Sequence, residues 1–130
     1  IKSNCEITSV NLRHPGGATG YKFVSNQGKF CYLLDHEYDD DSAPDIIEAS
    51  NNSDFVIWDG MFTSEELSMR KGWGHSSIKQ GHEFLEKTNS KKMGVSHHSP
   101  YRNDKNMMNL EGEIKNKNLF FAKEGQIIKI

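Results

Sequence analysis

The sequence lacks the features that mark several large classes of protein. Its 130 residues contain two cysteines, Cys5 and Cys31, without the spacing of metal ligands, which predicts two buried free thiols rather than a disulfide framework. No apolar run approaches the roughly 20 residues that a membrane-spanning helix needs, and no basic segment followed by an apolar one indicates a signal peptide. These absences favour a protein of the reducing cytoplasm with no membrane partner.

The chain also lacks an excess of charge of either sign. Lysine and arginine number 16, aspartate and glutamate 18, and the formal net charge is −2. Extended, nonspecific binding of nucleic acid is therefore not expected. Apolar residues make up 35% of the chain. Together with the length, this composition predicts a single domain over residues 1–130 with a modest core.

The first half of the sequence has the pattern of β-strands. Residues 5–12 are rich in β-formers, and residues 19–34 are typical of a hairpin. The acidic residues 37–41 predict a loop, after which Pro44 suits the first turn of a short helix that ends near residue 49. The nearly continuous apolar run at 54–58 predicts a buried strand.

Helices and strands alternate in the second half. Two capping-box patterns, at residues 63–66 and 77–80, predict helix starts, and the second opens a helix to about residue 88. Residues 92–96 predict a strand, 103–115 a helix, and 118–130 a terminal hairpin around a glycine. The order of elements predicts an α/β or layered α+β fold.

Three potential metal ligands, His14, Asp35 and His97, each follow a predicted strand. Ligands at the ends of several strands converge on one edge of a sheet. Imidazole nitrogen and carboxylate oxygen suit zinc, manganese or iron. Taken singly, a histidine after a strand is more often a capped loop residue, and an aspartate after two leucines is often a turn former. Together the three residues form a candidate metal site.

Two further residues are candidates for catalysis. The glycine-flanked His75 precedes a predicted helix start, where anions are favoured, and could donate a proton to a leaving group. Asp59, at the tip of the most apolar strand, is placed either to orient a histidine or to begin a turn. His36 and His98 stand beside candidate ligands and are expected to point away from the metal, as supporting groups.

Six segments follow one another in an order that carries a family resemblance. They are His-Pro-Gly-Gly-Ala-Thr-Gly-Tyr at 14–21, Tyr-Leu-Leu-Asp-His-Glu at 32–37, Asp-Gly-Met-Phe-Thr-Ser-Glu-Glu at 59–66, Gly-Trp-Gly-His-Ser at 72–76, Ser-His-His-Ser-Pro at 96–100 and Phe-Ala-Lys-Glu-Gly at 121–125. Over nearly the whole chain they resemble the C-terminal half of a metallo-β-lactamase-fold hydrolase, in the branch of tRNase Z and cyclic-phosphodiesterase-like enzymes. The resemblance implies half of an αββα sandwich, a mixed sheet with flanking helices.

The resemblance also implies roles for single residues. His14 resembles the third histidine ligand of the first metal, Asp35 the aspartate that bridges both metals, and His97 the last histidine, on the second metal. His75 matches a histidine that acts as proton donor or substrate contact in related phosphodiesterases. The implied reaction is hydrolysis by a metal-bound hydroxide at two ions of zinc, manganese or iron.

By resemblance, a small phosphodiester or cyclic nucleotide is the leading substrate. A lactam or thioester stays open, because the same chemistry attacks acyl carbon. A tRNA precursor is less expected, because no strongly basic face is present.

The sequence departs from the family in one large respect. The defining His-x-His-x-Asp-His motif is absent, and none of the six histidines forms it. The missing ligands and the other sheet would come from the N-terminal half of a longer chain, from a partner chain, or from a second copy in a homodimer. Since Ile1 is not a natural start, the longer chain is favoured. The alternative function is an inert, metal-free binding or assembly module.

Overall fold

A computed structural model describes residues 4–39 and 43–130 of the protein. Among these residues it contains six strands and four helices. Their bounds are β1 Glu6–Leu12, β2 Ala18–Ser25, β3 Gly28–Leu33, α1 Pro44–Ser50, β4 Phe55–Asp59, α2 Ser64–Ser68, α3 Ile78–Lys87, β5 Met93–Ser96, α4 Asp104–Glu113 and β6 Leu119–Phe121. Of the predicted acidic loop, residues 37–39 have no regular structure, while 40–41 lie outside the described residues, as does Ile1.

The six strands form one mixed sheet in the order β1-β2-β3-β4-β5-β6. The first three strands pair antiparallel. From β3 to β6 every pairing is parallel, with Phe30 opposite Phe55 and Trp58 opposite Val95. Strands β1, β3, β4 and β5 therefore point the same way, and their carboxyl ends meet at one edge of the sheet. The mixed sheet with flanking helices is the α/β architecture that the resemblance implies.

Side-chain caps fix the starts of three helices. The Thr63 hydroxyl accepts a hydrogen bond from the Glu66 N–H, and the Glu66 carboxylate accepts one from the Thr63 N–H at 2.8 Å. Ser77 and Gln80 make the same reciprocal pair at α3. Both capping boxes confirm the sequence prediction. They satisfy N–H groups that a helix start otherwise leaves without partners.

The hydrophobic core lies between one face of the sheet and the helices. Alternate residues of the central strands, among them Leu33, Val56, Trp58 and Val95, point into it, and each is fully buried. Phe84 of α3 packs against Trp58 with 4.8 Å between ring centroids. The Trp58 indole N–H donates to the Ser77 carbonyl at 3.1 Å, which ties the core to the start of α3.

The opposite face of the sheet is rich in aromatic residues and partly exposed. Ring centroids are 5.3 Å apart for Phe23 and Phe30, 5.8 Å for Phe30 and Phe55, and 6.0 Å for Phe55 and Phe120. The neighbouring Tyr32 is 39% exposed. We call this surface the open face. Its existence agrees with the expectation that half of a sandwich leaves one sheet face uncovered.

Two predictions about local structure are corrected. The terminal hairpin is wrong in its second arm, because residues 126–130 form no strand and Ile127 is 87% exposed, so no burial stabilises one. Cys31 is buried and free as predicted, but Cys5 is free and exposed, near the start of an edge strand with little cover.

Within the described residues no helix is both long and apolar enough to cross a bilayer.

Candidate metal centre

Four polar residues stand at the carboxyl ends of strands on one edge of the sheet. His14 follows β1, Asp35 follows β3, Asp59 ends β4 and His97 follows β5. The parallel directions of these strands bring the four residues together, although 83 positions separate the first from the last (97 − 14). The ends of the parallel strands thus bring the predicted ligands His14, Asp35 and His97 to one edge of the sheet, beside Asp59.

His75 completes an alternating row of imidazoles and carboxylates. The Asp35 Oδ1 atom lies 3.3 Å from His14 Nε2 and 3.6 Å from His75 Nδ1. The Asp59 Oδ2 atom lies 3.0 Å from His75 Nδ1 and 3.1 Å from His97 Nδ1. The row therefore runs His14–Asp35–His75–Asp59–His97, and we call it the His–Asp cluster.

The His–Asp cluster has the donor set of a divalent-metal site. Asp35, Asp59, His75 and His97 each offer one ligand atom, and these atoms all lie within 4.8 Å of one another. Carboxylate oxygen with imidazole nitrogen is the combination that zinc, manganese and iron accept. His14 touches Asp35 but lies outside this compact group. Conversely, His75 and Asp59, predicted as catalytic residues, lie among the potential ligands.

Asp59 is the buried centre of the cluster, with no exposed side-chain surface. Besides the two histidines, its carboxylate accepts the His36 N–H at 3.2 Å and the Met61 N–H at 3.0 Å. Burial opposes ionisation, but the hydrogen bonds from His97 and His75 outweigh it and lower the pKa of Asp59. The same bond to Asp59 raises the pKa of His97, against an opposing effect of burial.

The loop that carries His75 is held by a buried carboxylate. Glu37 Oε2 accepts the N–H groups of Gly72 at 2.8 Å and Gly74 at 3.0 Å. Gly74 has φ +92°, and a Cβ there would lie 2.3 Å from Cδ2 of His14. Only glycine fits this approach, which sets His75 and His14 side by side. Glu37 was expected to be a loop acid, and nothing local to it in the sequence indicates this role.

Two members of the cluster have strained backbones. Asp35 has φ 62° and His97 has φ 56°, in the left-handed region that non-glycine residues seldom adopt. Each such residue costs of order 1–3 kcal/mol, and strain of this kind concentrates at functional sites.

The histidines next to the candidate ligands point away from the cluster, as predicted. The His36 ring packs against Trp58 with 4.7 Å between centroids, and burial lowers its pKa to about 4. The His98 ring packs 4.4 Å from that of Phe121, and burial, with a smaller effect of Arg102, lowers its pKa. His36 still supports the site, through the main-chain N–H that it donates to Asp59.

Solved structures of other proteins share the fold of this chain. Human tRNase Z, short form, is 20% identical, covering 72% of this chain and 36% of its own length with a TM-score of 0.63. The metallo-β-lactamase fold protein YhfI from Bacillus subtilis is 17% identical, covering 92% of this chain and 47% of its own, with a TM-score of 0.72. A diphosphatase of the PhnP family is 17% identical, with coverages of 96% and 44% and a TM-score of 0.64.

These structures share the fold, and the chain spans less than half the length of each. No curated protein matches the chain. The family described as "Beta-lactamase superfamily domain" matches residues 1–98. That match includes β1 to β5 and every member of the His–Asp cluster. The chain therefore belongs to the β-lactamase superfamily.

Proposed function

We propose that the protein is a phosphodiesterase whose His–Asp cluster holds divalent metal, with zinc as the first candidate. The observation that carries the proposal is the convergence of two carboxylates and two imidazoles within 4.8 Å at the edge of the sheet. His14 adds a third imidazole, 3.3 Å from Asp35. When bound, the metal supplies a Lewis acid and lowers the pKa of a coordinated water.

The chain's own residues supply orientation and a proton. Asp59 accepts hydrogen bonds from the Nδ1 atoms of His75 and His97. We assign the Nε2 atom of His97 to the metal, together with His14 and Asp35, and the Nε2 atom of His75 to the substrate. In hydrolysis a water oxygen bonds to phosphorus and the bond to the leaving oxygen breaks. We assign His75 as the donor of the proton that the leaving oxygen takes up, with Asp59 as its positioning residue.

We further propose that the rest of the metallo-β-lactamase sandwich covers the open face and completes the ligand set. The stacked aromatic rings of the open face and the partial coverage of the matched structures support this. The proposed source is the remaining part of a longer chain. A second copy is the competing occupant, and sedimentation distinguishes them: a stable dimer that Tyr32→Lys dissociates would favour the homodimer.

Metal titration of the purified chain tests the ligand assignment. Calorimetry with Zn²⁺ and Mn²⁺ should give saturable binding that His97→Ala weakens by at least about tenfold. His82→Ala is the matched control, since His82 is half-exposed on α3 and lies outside the cluster. Equal metal uptake by the His97→Ala variant and the wild type would overturn the assignment.

Hydrolysis of bis(p-nitrophenyl) phosphate tests the reaction. We expect the protein to hydrolyse this substrate to p-nitrophenol in a metal-dependent reaction once the remaining part of the sandwich is present. The His75→Ala variant should lose most of this activity. A protein that binds metal and hydrolyses a thioester but no phosphodiester would replace the proposal with an acyl hydrolase. A metal-free, inactive completed protein would support the inert binding module.

A further inference from the structure

A pocket of about 370 Å³ opens beside His75, which forms part of its wall. Its walls include Phe62, Arg70, Trp73 and Tyr101. The volume lies at the lower end of the range for ligand pockets, roughly 300–1,000 Å³. Because His75 is shared with the His–Asp cluster, a molecule bound here meets the proposed proton donor.

Arg70 gives this pocket a positive charge that no carboxylate neutralises. Its guanidinium carbon lies 5.5 Å from the ring centroid of Phe62 and 5.9 Å from that of Trp73. Glu66, the carboxylate of the pocket wall, is paired instead with Arg102. Across residues 4–39 and 43–130 no carboxylate forms an ion pair with Arg70. One Nη1 donor goes to the Glu66 carbonyl at 3.4 Å, and the other guanidinium donors can meet an anion.

Two aromatic rings stand at the rim of the same pocket. Trp73 is 63% exposed and Tyr101 is 95% exposed. Trp73 comes from the loop that carries His75, and Tyr101 comes from the segment between β5 and α4. Flat exposed rings bind other flat π-systems by stacking, worth roughly 1–3 kcal/mol for a nucleobase. The pocket thus combines an anion site with a stacking site.

We propose that this pocket binds the nucleoside part of a phosphodiester substrate, with the base against Trp73 and Tyr101 and a phosphate oxygen paired with Arg70. The proposal rests on the proposed function and names the substrate class of the same site. A simple phosphate would use Arg70 alone, and an apolar ligand would use the rings alone. A nucleotide uses both.

Fluorescence titration of the purified, metal-free chain tests the proposal. Trp58 is fully buried and Trp73 is 63% exposed, so a ligand stacked on Trp73 changes the long-wavelength part of the emission. The probes are AMP, adenosine and ribose 5-phosphate. We expect AMP to quench this emission and to bind about tenfold more tightly than adenosine, which has no charge, or ribose 5-phosphate, which has no base.

Variants assign the two contributions. Arg70→Gln should lower AMP affinity to that of adenosine, whereas Lys79→Gln, which removes a cation outside the pocket, should leave it unchanged. Tyr101→Ser should weaken the binding of AMP roughly fivefold or more, as measured by calorimetry. Since Tyr101 is 95% exposed, this variant tests the proposal even if Arg70→Gln fails to fold.

Three outcomes would overturn the proposal: equal affinity for ribose 5-phosphate and AMP, equal affinity for adenosine and AMP, or no saturable quenching by AMP. The test requires neither metal nor turnover. Nucleotide binding without metal-dependent hydrolysis would therefore refute only the proposed function. Hydrolysis without nucleotide binding would refute only this inference.

Discussion

Replacing Asp59 by asparagine is the most direct test of how the His–Asp cluster is held. One carboxylate oxygen accepts three hydrogen bonds, from the His36 main chain and from the rings of His75 and His97. The other accepts the Met61 N–H at 3.0 Å. Asn has nearly the same shape but one NH₂ group in place of an oxygen. Either orientation of the amide sets that NH₂ against a backbone N–H.

The magnitude follows from these contacts. With the amide oxygen toward the histidines, the Met61 N–H loses its acceptor, at a cost of about 1–3 kcal/mol. The remaining bonds lose the negative charge that makes charge-assisted hydrogen bonds about twice as strong as neutral ones. We therefore expect Asp59→Asn to lower the free energy of unfolding by roughly 2–4 kcal/mol. We expect metal affinity to fall about 10–100-fold, as when a partner of a metal-ligating histidine is lost.

Urea denaturation and calorimetry with Zn²⁺ measure the two effects. Asp54→Asn is the matched control, because it makes the same chemical change in a partly exposed carboxylate far from the cluster. Its expected loss is at most about 1 kcal/mol, with unchanged metal affinity. An Asp59→Asn variant as stable as Asp54→Asn, with the metal affinity of the wild type, would refute the argument that Asp59 organises the site.

Two further predictions concern the backbone near His14 and the charge at Asp54. Gly74→Ala should lower the free energy of unfolding by roughly 2–4 kcal/mol and weaken metal binding, because its Cβ would meet His14 at 2.3 Å. Gly72→Ala is the control, because Gly72 has φ +85° but no atom within 4 Å of the added Cβ. It should lower the free energy of unfolding by only about 1–2 kcal/mol. Equal losses for the two variants in urea denaturation would contradict the argument. The hydrogen bond to Lys91 lowers the folded-state pKa of Asp54. The stability that ionised Asp54 contributes is therefore present above its unfolded-state pKa and is lost as the pH falls through its folded-state pKa. The difference in unfolding free energy between wild type and Asp54→Asn should therefore shrink between pH 5 and pH 2, and a constant difference would contradict the linkage.

The strand ends of the site were predictable because they depend on local pattern. Apolar runs before His14, Asp35 and His97 mark three strands, and parallel strands of one sheet end at one edge. The capping boxes of α2 and α3 were likewise readable, since a cap needs residues three positions apart.

Contacts between distant segments could not be read in the same way. The Asp59 carboxylate joins His75 and His97, 16 and 38 positions away. Glu37 reaches Gly74 across 37 positions. A lone acid after a strand is typical of many turns, so its partner is fixed only by packing. The strand predicted over 126–130 is wrong because β-propensity decides little where no side chain is buried.

The strand order also bears on how the site can form during folding. Every hydrogen-bonded pair of neighbouring strands is consecutive along the chain, so no strand has to pair with one that lies beyond its next neighbour in the sequence. As β1, β3, β4 and β5 are added in turn, His14, Asp35, Asp59 and His97 arrive at the edge in the same sequence. The topology therefore allows the sheet and its edge of polar residues to form in the order of the sequence.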